Sequence, residues 1–152
     1  MNAEAGDKVR LKAGYIIECT GAEKDADGKV TAVLATVIPD TKSGTPGADA
    51  VKVKGTIGWV GAHEAVAAEV RLYERLFTEP QPDAGGRDFL EFVNPNSLRV
   101  VQAFVEPSLA GAAADQRWQF ERHGYFVTDR VDHKADKPVF NKITGLKDSF
   151  SK

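Results

Sequence analysis

Short runs in which apolar and polar residues alternate recur along the whole chain, separated by turns rich in Gly, Pro and Asp. This feature constrains the fold most, because residues i and i+2 of a strand share one face and each run must bury that face against another strand or sheet. The first run extends from Val9 to Cys19, where Val9 and Leu11 alternate with Arg10 and Lys12 ahead of Tyr15-Ile16-Ile17. A second, Lys29 to Ile38, is rich in Val and Thr, and Lys24-Asp25-Ala26-Asp27-Gly28 joins the two with an Asp-Gly pair that can supply the positive φ of a tight hairpin. A third covers Val51 to Val60, with Gly55 expected to mark a bulge. Further strands are expected at Leu98 to Val105, Arg117 to Glu121, Tyr125 to Asp129 and Val139 to Ile143.

The remaining segments are of three kinds. Residues 39–50 (PDTKSGTPGADA) hold two prolines and two glycines and read as a long, exposed, mobile loop. Residues 64–77 (EAVAAEVRLYERLF) fit both a helical stripe and a strand, with a lean toward strand. Asp88 to Val93 reads as a short helix with acid in its first turn, stopped by Asn94-Pro95. Many short strands with one brief helix predict a mostly β protein built as an antiparallel barrel or pair of barrels.

Composition narrows the chemistry. A chain of 152 residues with 42% hydrophobic content can bury a sizeable core. Its apolar stretches fall short of the roughly 18 residues a membrane span needs, and its N-terminus has no basic-then-apolar leader, so a cytoplasmic protein is expected. The single Cys19 forms no internal disulfide, and with only His63, His123 and His133 beside it no zinc-type spacing arises. No nucleophile constellation or phosphate loop is present, so catalysis by this chain is not expected. The net charge of −2 argues against a protein held to nucleic acid by bulk phosphate attraction.

Seven ordered blocks carry more information than these patterns. They are VRLKAGYIIEC from Val9, VKVKGTIGWV from Val51, AEVRLYERLF from Ala68, FLEFVNPNSL from Phe89, VEPSLA from Val105, WQFERHGYF from Trp118 and KPVFNKITGLKDSF from Lys137. Together they resemble the C-terminal, anticodon-binding region of glutaminyl-tRNA synthetases. The resemblance runs from about Gly6 onward, with departures at Gly58, Gly61 and Ala67 where the family commonly has other residues. It implies two β-barrels of the type shared with a 5S rRNA-binding ribosomal protein. Residues 1–8 are then a lead-in, residues 9–152 the anticodon-binding region (one barrel and part of a second), and the catalytic domain lies elsewhere. The opening strands of one barrel are expected to be missing.

The resemblance also implies site residues. Arg10 and Lys12 correspond to the family's basic pair at the first anticodon base, and two cations at i and i+2 could follow a backbone while one reaches a base edge. Gln119 and Arg122 correspond to the pocket for the central uridine, with Glu121 orienting the arginine. Gln supplies a donor and an acceptor and Arg up to five donors, a set suited to the edge of a splayed base. The plainer alternative is a solvated strand face in the first case and a surface Glu–Arg pair in the second. Trp59, Trp118, Phe120, Tyr125 and Phe126 are read as core, and Lys52, Lys54, Lys137 and Lys142 as solvated. The implied partners are the anticodon loop of glutamine tRNA and the enzyme's own catalytic domain. ATP and magnesium belong to that domain, this region needs no cofactor, and a monomer is expected.

Overall fold

The computed structural model describes residues 4–146, so residues 1–3 of the lead-in and the end of the KPVFNKITGLKDSF block, from 147, lie outside the described residues. The chain divides into two compact units, Met1–Trp59 and Val60–Lys152.

In the first unit, β1 (Lys8–Leu11), β2 (Ile16–Lys24), β3 (Val30–Ile38) and β4 (Thr56–Ile57) form one sheet in the order β3-β2-β1-β4. The expected hairpin is β2–β3. Asp25 closes its turn by accepting from the N–H of Asp27 (3.1 Å) and of Lys29 (2.9 Å), and Gly28 takes φ 79°. The run read as one strand from Val9 to Cys19 is instead two antiparallel strands, β1 and β2, paired Arg10 to Ile16 and Val9 to Ile17. Ala13 in the left-handed region (φ 55°) followed by Gly14 reverses the chain there, and Gly14 donates to the Leu11 carbonyl (2.8 Å). Apolar alternation continues through this turn, which is why the pattern alone does not reveal it.

The third expected strand contracts to the two residues of β4, which pair in parallel with Arg10 and Leu11. A strand lasts only as long as its partner offers hydrogen bonds, and β1 has four residues. Residues 39–50 are not a wholly exposed loop. Thr41 is 2% exposed, and its hydroxyl accepts from the Ile16 N–H (3.0 Å) and donates to the Ile38 carbonyl (2.7 Å). Ile16, Thr41 and Cys19 are buried in this unit.

The second unit carries β5 (Val66–Tyr73), β6 (Leu98–Val105), β7 (Arg117–Phe120), β8 (Gly124–Thr128) and β9 (Val139–Thr144), ordered β6-β5-β9-β8-β7. The undecided segment is thus a strand. Ala68 and Val70 are buried while Ala67 and Tyr73 face out, a period of two that pairs with β6 over eight residues from Val66–Val105 to Tyr73–Leu98. The expected helix is a single 3-10 turn, Phe89–Phe92, with the Asp88 carboxylate accepting from the Leu90 N–H (2.9 Å). The core comprises Ala68, Val70, Val105, Leu109, Phe126 and Phe140, with Trp118 and Phe120 packed on it. Phe120 stacks on Phe126 at 4.5 Å and meets Phe140 edge-on at 5.2 Å.

The protein is mostly β, as the patterns predict, but the strands are not all antiparallel. Each sheet contains one parallel pair, β1–β4 and β5–β9, and among the described residues neither ladder closes into a barrel. Parallel neighbours need a long crossover between them. The hairpin β2–β3 with residues 39–55 supplies it in the first unit, and β6 to β8 in the second. Alternation along one strand carries no information about the direction of its neighbour.

A polar node braces the second sheet. Arg71 donates to Glu69 (2.8 Å), Asp129 (3.3 Å) and Asp132 (2.7 Å). Asp129 also accepts from the Asn141 amide (2.6 Å) and from the N–H groups of Val131 (2.9 Å) and Asp132 (2.8 Å). The Asp132 N–H, the Asn141 amide and the Val131 N–H, aided by the Arg71 charge, hold the Asp129 carboxyl down at about 2.

Candidate nucleic-acid interface

The β7–β8 hairpin gathers the predicted uridine-reading residues. Gln119 stands on β7 directly opposite Tyr125 on β8, and both face outward while Phe120 and Phe126 fill the core beneath them. Tyr125 is 43% exposed, against the expectation of a core aromatic. The signal for its exposure is in the sequence: Phe126 and Thr128 point inward, so a period of two turns Tyr125 out. Beside this pair lies an open depression of about 490 Å³, walled by Arg117, Trp118, Gln119, Tyr125, Ile143 and Thr144.

Strand β7 ends at Phe120, so the turn rather than the pleat aims Glu121 and Arg122. His123 donates to the Phe120 carbonyl (2.9 Å) to close that turn, and Arg122 sits in the left-handed region at φ 64°. A non-glycine residue there costs roughly 1 kcal/mol or more, and such positions concentrate at functional sites. Gly124, at φ 135°, is required by space as well as by conformation: a Cβ would lie 2.4 Å from the Thr144 carbonyl oxygen. Gln119, Glu121 and Arg122 thus share one edge hairpin braced by β9.

The basic pair of the first unit behaves differently. Arg10 is half-buried, and its Nη1 donates to the carbonyls of Thr41 (2.8 Å) and Gly14 (3.4 Å) and to the Ser43 hydroxyl (3.3 Å), while its Nη2 donates to the Ala48 carbonyl. The guanidinium is therefore committed to the loop 39–50. Lys12 lies beyond the end of β1, is exposed, and uses its carbonyl to accept from the Trp59 indole (2.9 Å). The turn at Ala13 follows directly, although the Lys12 N–H still donates to the Ile57 carbonyl (2.9 Å) as the Arg10 N–H does to that of Gly55 (3.0 Å). Trp59, expected in the core, is 51% exposed and held by that hydrogen bond. Lys54 pairs with Asp7 at 2.7 Å on the surface.

Residues 56–129, which include β5 to β8 and the Gln119–Arg122 hairpin, match the family described as tRNA synthetases class I (E and Q), anti-codon binding domain. The chain belongs to this family. The similarity extends well beyond the matched segment. A glutamine–tRNA ligase of Ralstonia pickettii is 65% identical over 147 residues, covering 97% of this chain and 26% of that protein. Those of Cupriavidus taiwanensis and Bordetella avium are 64% and 56% identical, covering 97% and 96% of this chain and 25% of each relative. The chain spans about a quarter of the length of the curated relatives it matches. For a class I E-and-Q anticodon-binding domain, an edge hairpin presenting an amide, a guanidinium and an aromatic ring is a coherent surface for unpaired bases.

Proposed function

We propose that the chain reads the anticodon loop of glutamine tRNA and serves a glutamine–tRNA ligase whose catalytic domain carries out the ATP- and magnesium-dependent attachment of glutamine. The observation that carries this reading is the pairing of Gln119 with Tyr125 beside Arg122 on one exposed hairpin, in a chain 65% identical to such a ligase.

The division of labour follows from the side chains. Tyr125 offers a ring face on which a splayed base stacks. The Gln119 amide complements a uracil edge, accepting from its N3–H and donating to a neighbouring carbonyl. Arg122 donates to the remaining acceptor, with Glu121 next to it in the turn to orient it. Arg117 and Lys12 supply phosphate contacts that set register without selecting sequence. Arg10 acts through the loop it holds. Among the described residues no group of His, Cys, Asp and Glu could hold a metal ion, and no helix is long and apolar enough to cross a membrane. No step of ATP or magnesium chemistry is assigned to these residues. The chain is taken to work in the cytoplasm as a monomer.

The test is a binding titration of the chain with an anticodon stem–loop of glutamine tRNA, the same hairpin with its central uridine replaced by cytidine, and a 5S rRNA fragment. Preference for the uridine hairpin is expected. Equal or tighter binding of the 5S fragment would replace this reading with a ribosomal one.

A further inference from the structure

The boundary between the two units falls between Trp59 and Val60, inside the segment Gly58-Trp59-Val60-Gly61. No strand is shared across it: β1 to β4 pair among themselves, and β5 to β9 do the same. Just before the segment, the Ile57 carbonyl accepts from the Lys12 N–H (2.9 Å), which anchors the chain to the first unit. At its far end the Gly61 carbonyl accepts from the N–H groups of Glu64 (3.2 Å) and Ala65 (2.8 Å), closing the turn that leads into β5. Between these anchors Gly58, Trp59 and Val60 belong to no helix or strand. Among the described residues, their backbone groups make no hydrogen bond to other backbone.

Neither glycine is demanded by the fold. A Cβ on Gly58 would meet nothing within 4 Å, one on Gly61 only the Glu64 carboxylate at 3.7 Å, and neither residue has a positive φ. Glycine at such a position adds backbone freedom that the folded conformation does not use. Two permissive residues around an unbonded pair can absorb the changes in φ and ψ that a hinge requires. Trp59 opposes that freedom. Its ring is 51% exposed, and its indole N–H donates to the Lys12 carbonyl (2.9 Å), the same residue whose N–H holds Ile57. A single exposed hydrogen bond contributes little net free energy, so this latch opens and closes at small cost.

We infer that residues 58–61 are a hinge about which the two units reorient, with the Trp59 indole as its latch on the first unit. The hinge stands on the backbone alone. Its consequence for binding rests on the anticodon-loop reading above: Lys12 belongs to the first unit and Gln119, Arg122 and Tyr125 to the second, so an RNA that engages both must still the hinge. Stiffening the segment beforehand removes part of that ordering cost.

The experiment measures residual dipolar couplings of the backbone N–H groups of the 152-residue chain in a dilute liquid-crystalline medium, with each unit fitted separately. The two units of the native chain should give different alignment tensors. The Gly58→Ala, Gly61→Ala double variant should shrink the difference, while Trp59→Phe, which keeps a ring and loses the bond, should widen it. Couplings that still fit each unit's own fold show that a variant has not simply unfolded. One tensor shared by both units of the native chain would overturn the hinge, and so would a double variant whose tensors differ as much as the native ones. An anticodon stem–loop of glutamine tRNA should draw the two tensors together, and the double variant should bind it about two- to fivefold more tightly. If the units align separately and respond to the variants, but the stem–loop binds no better than an unrelated hairpin, the hinge stands and the anticodon reading falls. If the native units share one tensor and the stem–loop binds specifically, the hinge falls and the anticodon reading stands.

Discussion

The Nη2 of Arg10 donates to the carbonyl of Ala48, a residue 38 positions further along the chain, and the same guanidinium reaches Thr41 at 2.8 Å. A cation that an alternating strand pattern aims at solvent is thereby the pin of a twelve-residue loop. Charge-assisted bonds of this kind contribute more than neutral ones, and breaking them leaves half-buried carbonyls without partners. Arg10→Ala should destabilise the first unit by about 1 to 3 kcal/mol, with Arg10→Lys intermediate because an ammonium lacks the fork. Urea unfolding checks the size, and faster proteolytic cleavage within residues 39–50 checks the place.

The left-handed turn residue Arg122 allows function and stability to be separated. Arg122→Ala and Arg122→Gly remove the same guanidinium, so both should weaken binding of the uridine-centred stem–loop by about 1 to 3 kcal/mol. At φ 64° glycine is unstrained and alanine is not, so the glycine variant should be the more stable of the two by roughly 1 kcal/mol. Equal melting temperatures for the two variants would contradict this.

Acid should loosen the node around Arg71. The Asp129 carboxyl titrates at about 2 in the folded chain, below its ordinary value of 3.8, so the folded state binds this proton more weakly than the unfolded state does. Its stabilising contribution is complete above about pH 4 and is lost as the pH falls toward 2. Unfolding free energies measured across that window should decline less steeply for Asp129→Asn than for the native chain.

The indole N–H of Trp118 is buried with no hydrogen-bond partner among the described residues, although the ring packs on the core of the second unit. An orphaned donor costs about 1 to 3 kcal/mol, which offsets part of what the ring contributes. Trp118→Phe should therefore cost less than about 1 kcal/mol, whereas Trp118→Ala, which also empties the ring's volume, should cost about 3 to 5 kcal/mol. Denaturant unfolding of the two variants tests this.

Much of the architecture was legible from local pattern. The β2–β3 hairpin follows from Asp25 and Gly28, whose turn chemistry acts over four residues. Likewise, the outward Gln119 follows from inward Trp118 and Phe120, whereas Tyr125, read as core, is exposed. The family, too, lies in the ordered blocks themselves. Position on the pleat was misleading where a turn interrupted it. Apolar residues continue through the reversal at Ala13, and Glu121 and Arg122 lie just past the last paired residue of β7.

What the sequence by itself determined is the mostly β character and the hairpins, because each depends on residues within a few positions of one another. Tertiary structure alone decided the parallel pairs β1–β4 and β5–β9, the commitment of Arg10 to the carbonyls of Thr41 and Ala48, and the exposure of Trp59. Each of these is set by a partner distant in the chain. Whether a half-buried cation meets water or a carbonyl 31 to 38 residues away is a property of the assembled fold, not of the alternation that carries it.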